Sequence, residues 1–222
     1  MSFLPSVFRK VIRILIISFM SNRRNTRDKR CPFCRININF CFCGGLSMHG
    51  NNTPVSVIMH FREKHLTSNT ANLGLLTLSK FRIYERGLKE APFRFSSIPV
   101  TENELVLFLY PDEGAVLLDD EFSDKYKGPY HLVVPDGSWG QASKIRKRER
   151  LEHLMSVRLP ADVRGEYTLR KSTSFNRLST FEAVAYAMRY LEGEEMSLSL
   201  LSCFRLMNER VEQSRKNPGL LL

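Results

Sequence analysis

Two hydrophobic periodicities alternate along this chain from residue 55 onward. Val55–His60 is a short β-branched run that reads as a strand, and Asn69–Lys80 reads as a helix with Leu73, Leu76 and Leu78 on or near one face. Glu104–Tyr110 and Tyr130–Val134 are near-continuous apolar runs, the pattern of strands covered on both faces of a sheet. Trp139–Leu154, Phe181–Leu191 and Glu195–Gln213 carry helical spacing. Strands alternating with helices predict an α/β domain with a largely parallel central sheet. There is no internal repeat and no low-complexity segment.

Upstream of residue 55 the pattern breaks. In residues 1–20, Val7, Val11, Ile12, Leu15, Ile16 and Phe19 fall near helical spacing, interrupted by Arg9, Lys10 and Arg13. A secretory signal fits in outline, but the uninterrupted apolar run Ile14–Ile17 is short and no small-residue cleavage site follows. A basic amphipathic segment at a membrane surface is a second reading, and a start of translation at Met20 a third. A frayed helix or start-site artefact is the ordinary explanation. Residues 21–30 form a basic lead-in, and Gly44-Gly45 with Asn51-Asn52-Thr53-Pro54 mark a linker. The expected organisation is an N-terminal extension over 1–20, a basic lead-in and cysteine module over 21–50, a domain over 51–215 and a tail over 216–222.

Composition narrows the class. The 222 residues are 43% hydrophobic and 25% charged, the balance of a folded chain with ample core. A net charge of +10 makes RNA, DNA or acidic lipid the natural partners, without choosing among them. No apolar run approaches the ~20 residues needed to cross a bilayer, which excludes a polytopic membrane protein. Five cysteines are too few for a disulfide-dense secreted scaffold.

Four of those cysteines cluster. Cys31-Pro-Phe-Cys34, six residues and Cys41-Phe-Cys43 place a C-x2-C turn and a C-x-C pair where their sulfurs can converge on one tetrahedral ion. Arg30 and Arg35 lie nearby to favour the thiolates. In a chain with no convincing export signal this spacing points to structural zinc rather than to disulfides or idle thiols, and a closed four-cysteine site has no open catalytic position. Cys203 reads as a buried small hydrophobe.

The single tryptophan lies in Leu132-Val133-Val134-Pro135-Asp136-Gly137-Ser138-Trp139-Gly140-Gln141-Ala142, a strand, a sharp turn and a helix. Ligands of open α/β sheets bind at such strand-to-helix turns. Ser138 and Gln141 also have the spacing of a capping box, which explains both without any ligand. The helix that follows carries Lys144, Arg146, Lys147, Arg148 and Arg150 with only Glu149 as internal partner. Such a run is usually a solvated face, but mutual repulsion on this scale points to a nucleic-acid backbone. Leu178-Ser179-Thr180-Phe181-Glu182-Ala183 opens another helix with Ser179 and Glu182 as a capping box. Ser68-Asn69-Thr70 and Tyr110-Pro111-Asp112-Glu113 are further polar turns beside core elements. His60 and His65 have no metal-like spacing, and nucleophile-elbow, Walker and dinucleotide glycine motifs are absent.

In order and spacing, from about Cys31 to about Gly193, these motifs resemble the DTW-domain family, the tRNA-uridine aminocarboxypropyltransferases. Ser138 stands where the family usually has threonine, and Phe61 follows His60 where proline is usual. The resemblance implies a SPOUT-like α/β fold with helices on both faces of the sheet and a C-terminal trefoil knot. It implies transfer of the 3-amino-3-carboxypropyl group of S-adenosylmethionine to N3 of a uridine in tRNA, with methylthioadenosine released. Under that reading Asp136 is the general base or orients the uridine N–H, and Trp139 packs on the cofactor or the base. Asn69, Thr70, Tyr110, Pro111, Glu113, Gly137, Ser138, Leu178, Ser179 and Thr180 line the cofactor pocket with Asp136. Lys144, Arg146, Lys147, Arg148 and Arg150 hold tRNA phosphates. No DNA partner, no stable membrane association and a cytoplasmic location are expected. A SPOUT-type RNA methyltransferase and a non-catalytic zinc-containing RNA-binding protein remain the competing readings, with a membrane-surface protein anchored by residues 1–20 behind them.

Overall fold

The β-branched run Val55–His60 forms a first strand buried along nearly its whole length, because α-helices cover the sheet on both sides. The computed structural model describes residues 29–137, 139–169 and 178–217. The chain divides into two units, Met1–Arg30 and Cys31–Leu222, and the sheet with all its helices belongs to the second. The expected extension over 1–20, most of the basic lead-in, Ser138 and the last five residues lie outside the described part.

The elements run β1 (Val55–His60), α1 (Ala71–Thr77), β2 (Phe81–Arg86), β3 (Leu105–Leu109), β4 (Val116–Leu117), α2 (Phe122–Lys125), β5 (Tyr130–Asp136), α3 (Trp139–Arg148), β6 (Met155–Arg158), α4 (Thr180–Glu192) and α5 (Glu194–Lys216). The six strands lie in the order β2-β1-β5-β3-β6-β4, and every pairing is parallel. Alternate residues serve opposite faces. Val55, Val57, Met59, Leu132 and Val134 join a core that holds Leu73 of α1, Phe181 and Met188 of α4 and Phe204 of α5. Ile58, Phe108 and Val133 face a smaller core with Ile145 of α3, Leu151 and Leu154. Among the described residues no helix is long and apolar enough to cross a membrane.

Two helices end earlier than expected, and a strand follows each. The helix expected over 69–80 stops at Thr77. Its next backbone groups are captured instead: His49 N–H donates to Thr77 C=O at 2.8 Å and Ser79 N–H to His49 C=O at 3.0 Å. That turns Leu78 into extended backbone and feeds β2, an edge strand whose Arg82, Glu85 and Arg86 hide its identity in the sequence. The helix expected over 139–154 stops at Arg148, and β6 follows. Here Arg150 takes φ +55°, while Leu151 N–H reaches Arg146 C=O at 2.8 Å and Arg150 N–H reaches Lys147 C=O at 3.3 Å. This is a Schellman ending with arginine in the place glycine usually holds.

Candidate active site

Chain direction locates the site. From β1 the chain continues to β2 on one side, and from β5 it continues to β6 on the other, although β1 and β5 are neighbours. The carboxyl ends of β1 and β5 are therefore a topological switch point, the place where open parallel sheets usually have their ligand crevice. Asp136 is the last residue of β5 and pairs in register with Met59 of β1. It is 6% exposed.

Two distant motifs meet on this carboxylate. Asn69 Nδ2 donates to Asp136 Oδ2 at 2.8 Å, and the Thr180 hydroxyl donates to Asp136 Oδ1. Asn69 is itself fixed, because its Oδ1 accepts from Ala71 N–H at 2.9 Å in the first turn of α1. Thr70 joins the same junction by accepting from Phe181 N–H at 3.2 Å through Oγ1. The Ser179–Glu182 capping box forms as its spacing predicts, with Ser179 N–H on Glu182 Oε2 at 2.7 Å. Glu182 is fully buried and also accepts from Glu166 N–H at 2.5 Å. Burial pushes its carboxyl up, against the pull of the hydrogen bonds from Ser179 and Glu166.

Behind Asp136 the backbone turns through Gly137 at φ +150°, and a Cβ there would lie 3.0 Å from Gln141 Oε1. Glycine is what admits both the conformation and the contact. A carboxylate held by an amide and a hydroxyl suits the ionised, acceptor-only form, and it can take a proton or a hydrogen bond from a ligand N–H in the crevice.

The other expected residues are placed as follows. Leu178 and Ser179 are partly buried at the entry to α4. Trp139 begins α3, but its side chain and all of Ser138 lie outside the described part. Tyr110 packs on the smaller core, while Pro111 and Glu113 are exposed. Asp112, from the same turn, carries a cluster that sequence reasoning missed. It accepts from Ser156 Oγ at 3.1 Å and pairs with the Arg146 guanidinium.

Arg146 therefore leaves the cationic surface expected of it, and its Nε is buried with no partner. Glu149, read as the run's internal partner, instead pairs with Arg86 of β2 at 2.9 Å. Lys144, Lys147, Arg148 and Arg150 remain exposed, and no ion pair involves them among the described residues. Tyr167, also missed, donates its hydroxyl to Ser68 C=O at 2.5 Å and braces the Asn69 turn. It comes from an irregular stretch with no periodicity to announce it.

The four clustered cysteines are all free, with every sulfur within 4.8 Å of the others. The Cys31–Cys43 and Cys34–Cys41 sulfurs are 3.8 and 3.7 Å apart. Four thiolates around zinc at about 2.3 Å have a tetrahedral edge of about 3.8 Å, whereas a disulfide needs about 2.0 Å. The donor set fits a metal ion. Without one the thiols compete: the hydrogen bond from Cys43 draws Cys34 down to about 5, burial raises Cys41 to about 11, and the Cys34 partnership drives Cys43 higher still. The expected help from Arg35 is not the main influence. Its guanidinium donates to Lys64 C=O, and the thiols act chiefly on one another.

The DTW domain matches residues 28–212. Over 208 residues the chain is 27% identical to a Drosophila melanogaster protein named tRNA-uridine aminocarboxypropyltransferase 2, covering 88% of this chain and 80% of that one. Proteins of the same name from Mus musculus and Macaca fascicularis are 33% and 28% identical over 173 residues, covering 75% of this chain and 57% of each of theirs. Among solved structures, the SAM-dependent rRNA:acp-transferase Tsr3 from Vulcanisaeta distributa aligns with a TM-score of 0.44 at 17% identity, over 73% of this chain and 79% of that one. With the domain match running from ahead of the cysteine module into α5, the chain belongs to the DTW-domain family.

Proposed function

We propose that this protein transfers the 3-amino-3-carboxypropyl group of S-adenosylmethionine to N3 of a uridine in tRNA. One observation carries the reading: Asn69, Asp136 and Thr180, from three separated motifs, meet as one hydrogen-bonded group at the carboxyl end of β5. Family membership and the names of the relatives support it. In the reaction N3 attacks the methionine γ-carbon, the C–S bond breaks, and its electron pair stays with sulfur as neutral methylthioadenosine. The N3 proton passes to Asp136 and then to solvent. Methyl and aminocarboxypropyl transfer start from one sulfonium, so the choice between them is positional. Asp136 makes that choice by fixing where the N–H points.

Around this centre we assign Thr70, Gly137, Ser138, Leu178, Ser179 and the Tyr110, Pro111 and Glu113 turn to the cofactor pocket, with Trp139 against cofactor or base. Lys144, Lys147, Arg148 and Arg150 hold tRNA phosphates, a task from which the Asp112 contact withdraws Arg146. Cys31, Cys34, Cys41 and Cys43 hold structural zinc, within an organisation of extension, zinc module, SPOUT-like knotted domain and tail. The location is cytoplasmic.

The test is incubation with unmodified tRNA and S-adenosylmethionine labelled in the aminocarboxypropyl carbons, with methyl-labelled cofactor in parallel. Only the first label should appear in a modified uridine. Asp136→Asn, which keeps the shape but not the acceptor charge, should lose about 100-fold or more in rate while retaining RNA binding. Methyl transfer would make the protein a methyltransferase, and no transfer of either label would leave an RNA-binding module.

A further inference from the structure

We propose that Glu166 and Tyr167 are positioning residues for the transfer reaction: as neighbours on one strap they set the two donor arms that aim Asp136. The inference rests on the reading of Asp136 as the group that directs the uridine N–H, and it adds residues that reading does not use.

From the end of β6 to Leu169 the chain forms neither helix nor strand. Side-chain contacts hold it instead, and α5 supplies two consecutive anchors. The Arg205 guanidinium donates to both oxygens of Glu166, at 2.7 and 2.8 Å, and the Phe204 ring packs against Tyr167 with 5.9 Å between centroids. On either side of this pair, Tyr186 donates its hydroxyl to Arg164 C=O at 3.1 Å and Arg215 donates to Leu169 C=O at 2.7 Å. A segment without ladder hydrogen bonds is thus fixed from Arg164 to Leu169.

The strap in turn holds both motifs that meet on Asp136. Tyr167 donates its hydroxyl to Ser68 C=O at 2.5 Å, and Asn69 N–H, on the other edge of that same peptide bond, donates to Leu66 C=O at 3.0 Å. The peptide is planar, so pinning both edges fixes the direction in which Asn69 leaves the backbone toward Asp136. One residue earlier, Glu166 N–H donates to Glu182 Oε1 at 2.5 Å, while Glu182 Oε2 accepts from Ser179 N–H at 2.7 Å. A single buried carboxylate therefore ties the strap to the residue before Thr180. Phe181 N–H closes the ring on Thr70 Oγ1 at 3.2 Å. Both routes end on donors to Asp136, so loosening the strap turns the carboxylate without removing either donor. A plain structural brace would show in stability alone. A positioning residue shows in turnover, because misplacement by about 1 Å from a remote change can cost up to ~100-fold.

Turnover is measured on the full-length protein with unmodified tRNA and S-adenosylmethionine labelled in the aminocarboxypropyl carbons, below the melting midpoint of every variant. Tyr167→Phe keeps the ring against Phe204 and removes only the hydroxyl. It should lower kcat about fivefold, with KM for either substrate changed less than about twofold. Arg205→Ala removes a half-exposed ion pair, which contributes little to stability. It should lower kcat about threefold with KM again unchanged, and it decides the matter if Tyr167→Phe folds poorly. Combined with Asn69→Ala, Tyr167→Phe should slow turnover no further, because its route runs through Asn69. Unchanged kcat in the folded variants overturns the inference, as does a loss that multiplies with that of Asn69→Ala. A raised KM with kcat intact also overturns it, by placing the strap against a substrate. A wild type that transfers the label at a rate the variants match removes this inference alone, whereas a wild type that transfers neither label removes the functional reading with it.

Discussion

Asp136 is held by donors that come from 67 residues before it and 44 residues after it. Removing either leaves a buried carboxylate mis-aimed and one hydrogen bond poorer. Asn69→Ala and Thr180→Val should each cost about 1–3 kcal/mol of stability, because a buried acceptor loses its partner. They should also lower turnover about tenfold or more, with stability read by urea denaturation and turnover by steady-state kinetics. A second buried polar residue acts on stability alone. His131 is 1% exposed, with Nε2 at 2.8 Å from Ser56 Oγ and Nδ1 at 3.3 Å from Glu104 Oε2. Burial lowers its pKa from 6.5, and Glu104 opposes only part of that shift. The unfolded chain therefore binds this proton more readily than the folded one, and the stability His131 contributes is full above about pH 6.5 and lost as pH falls below it. Thermal melts from pH 8 to pH 5 should show a falling midpoint, and His131→Asn should flatten that fall. An unchanged slope in the variant would refute the assignment.

At the scale of the element, α3 decides how its cations divide. Ile145 faces the smaller core, Arg146 turns to Asp112, and Lys147 and Arg148 face water. Arg146→Ala should destabilise by about 1–3 kcal/mol, since Asp112 keeps its half-buried charge without its counterion. Lys147→Ala should change stability by less than about 0.5 kcal/mol but reduce the salt dependence of tRNA binding by about one unit of slope. Denaturation paired with binding titrations across a salt series separates the two residues. From sequence they are indistinguishable, because a run of cations reads the same whether or not one member turns inward. Burial governs what else was legible. β1 and β5 are covered on both faces and show as apolar runs, and the capping box of α4 is local chemistry that spacing alone reveals. β2 carries edge charges, and β6 hides behind Arg150, where a glycine would have announced the end of the helix. The turns at 69–70, 136–137 and 179–180 were each readable, but their meeting on one carboxylate depends on strand order, which no local pattern encodes.

At the scale of the whole molecule, the cysteine module is part of the core rather than an appendage on a tether. Ile36 and Phe42, both buried, belong to the same apolar cluster as Leu73 of α1 and Met207 of α5. Gly45 lies so close to α5 that a Cβ there would be 2.7 Å from Leu206 Cδ2. From Cys31 to Gly50 the module has no helix or strand of its own, only two 3-10 turns at Ile38–Phe40 and Cys43–Gly45. The four sulfurs are thus what closes it, and a divalent ion that keeps all four as thiolates removes the competition among them. Metal loss should free Ile36 and Phe42 from the core, each worth about 1.5–3 kcal/mol when fully buried. For a chain of this size that lowers the melting midpoint by on the order of 10 °C. The protein as purified should carry one zinc per chain by elemental analysis, chelation should produce that drop, and added zinc should reverse it. Cys41→Ser should reproduce the chelated midpoint and no longer respond to chelator. A zinc-free protein with an unshifted midpoint would show that the cysteines close the module unaided.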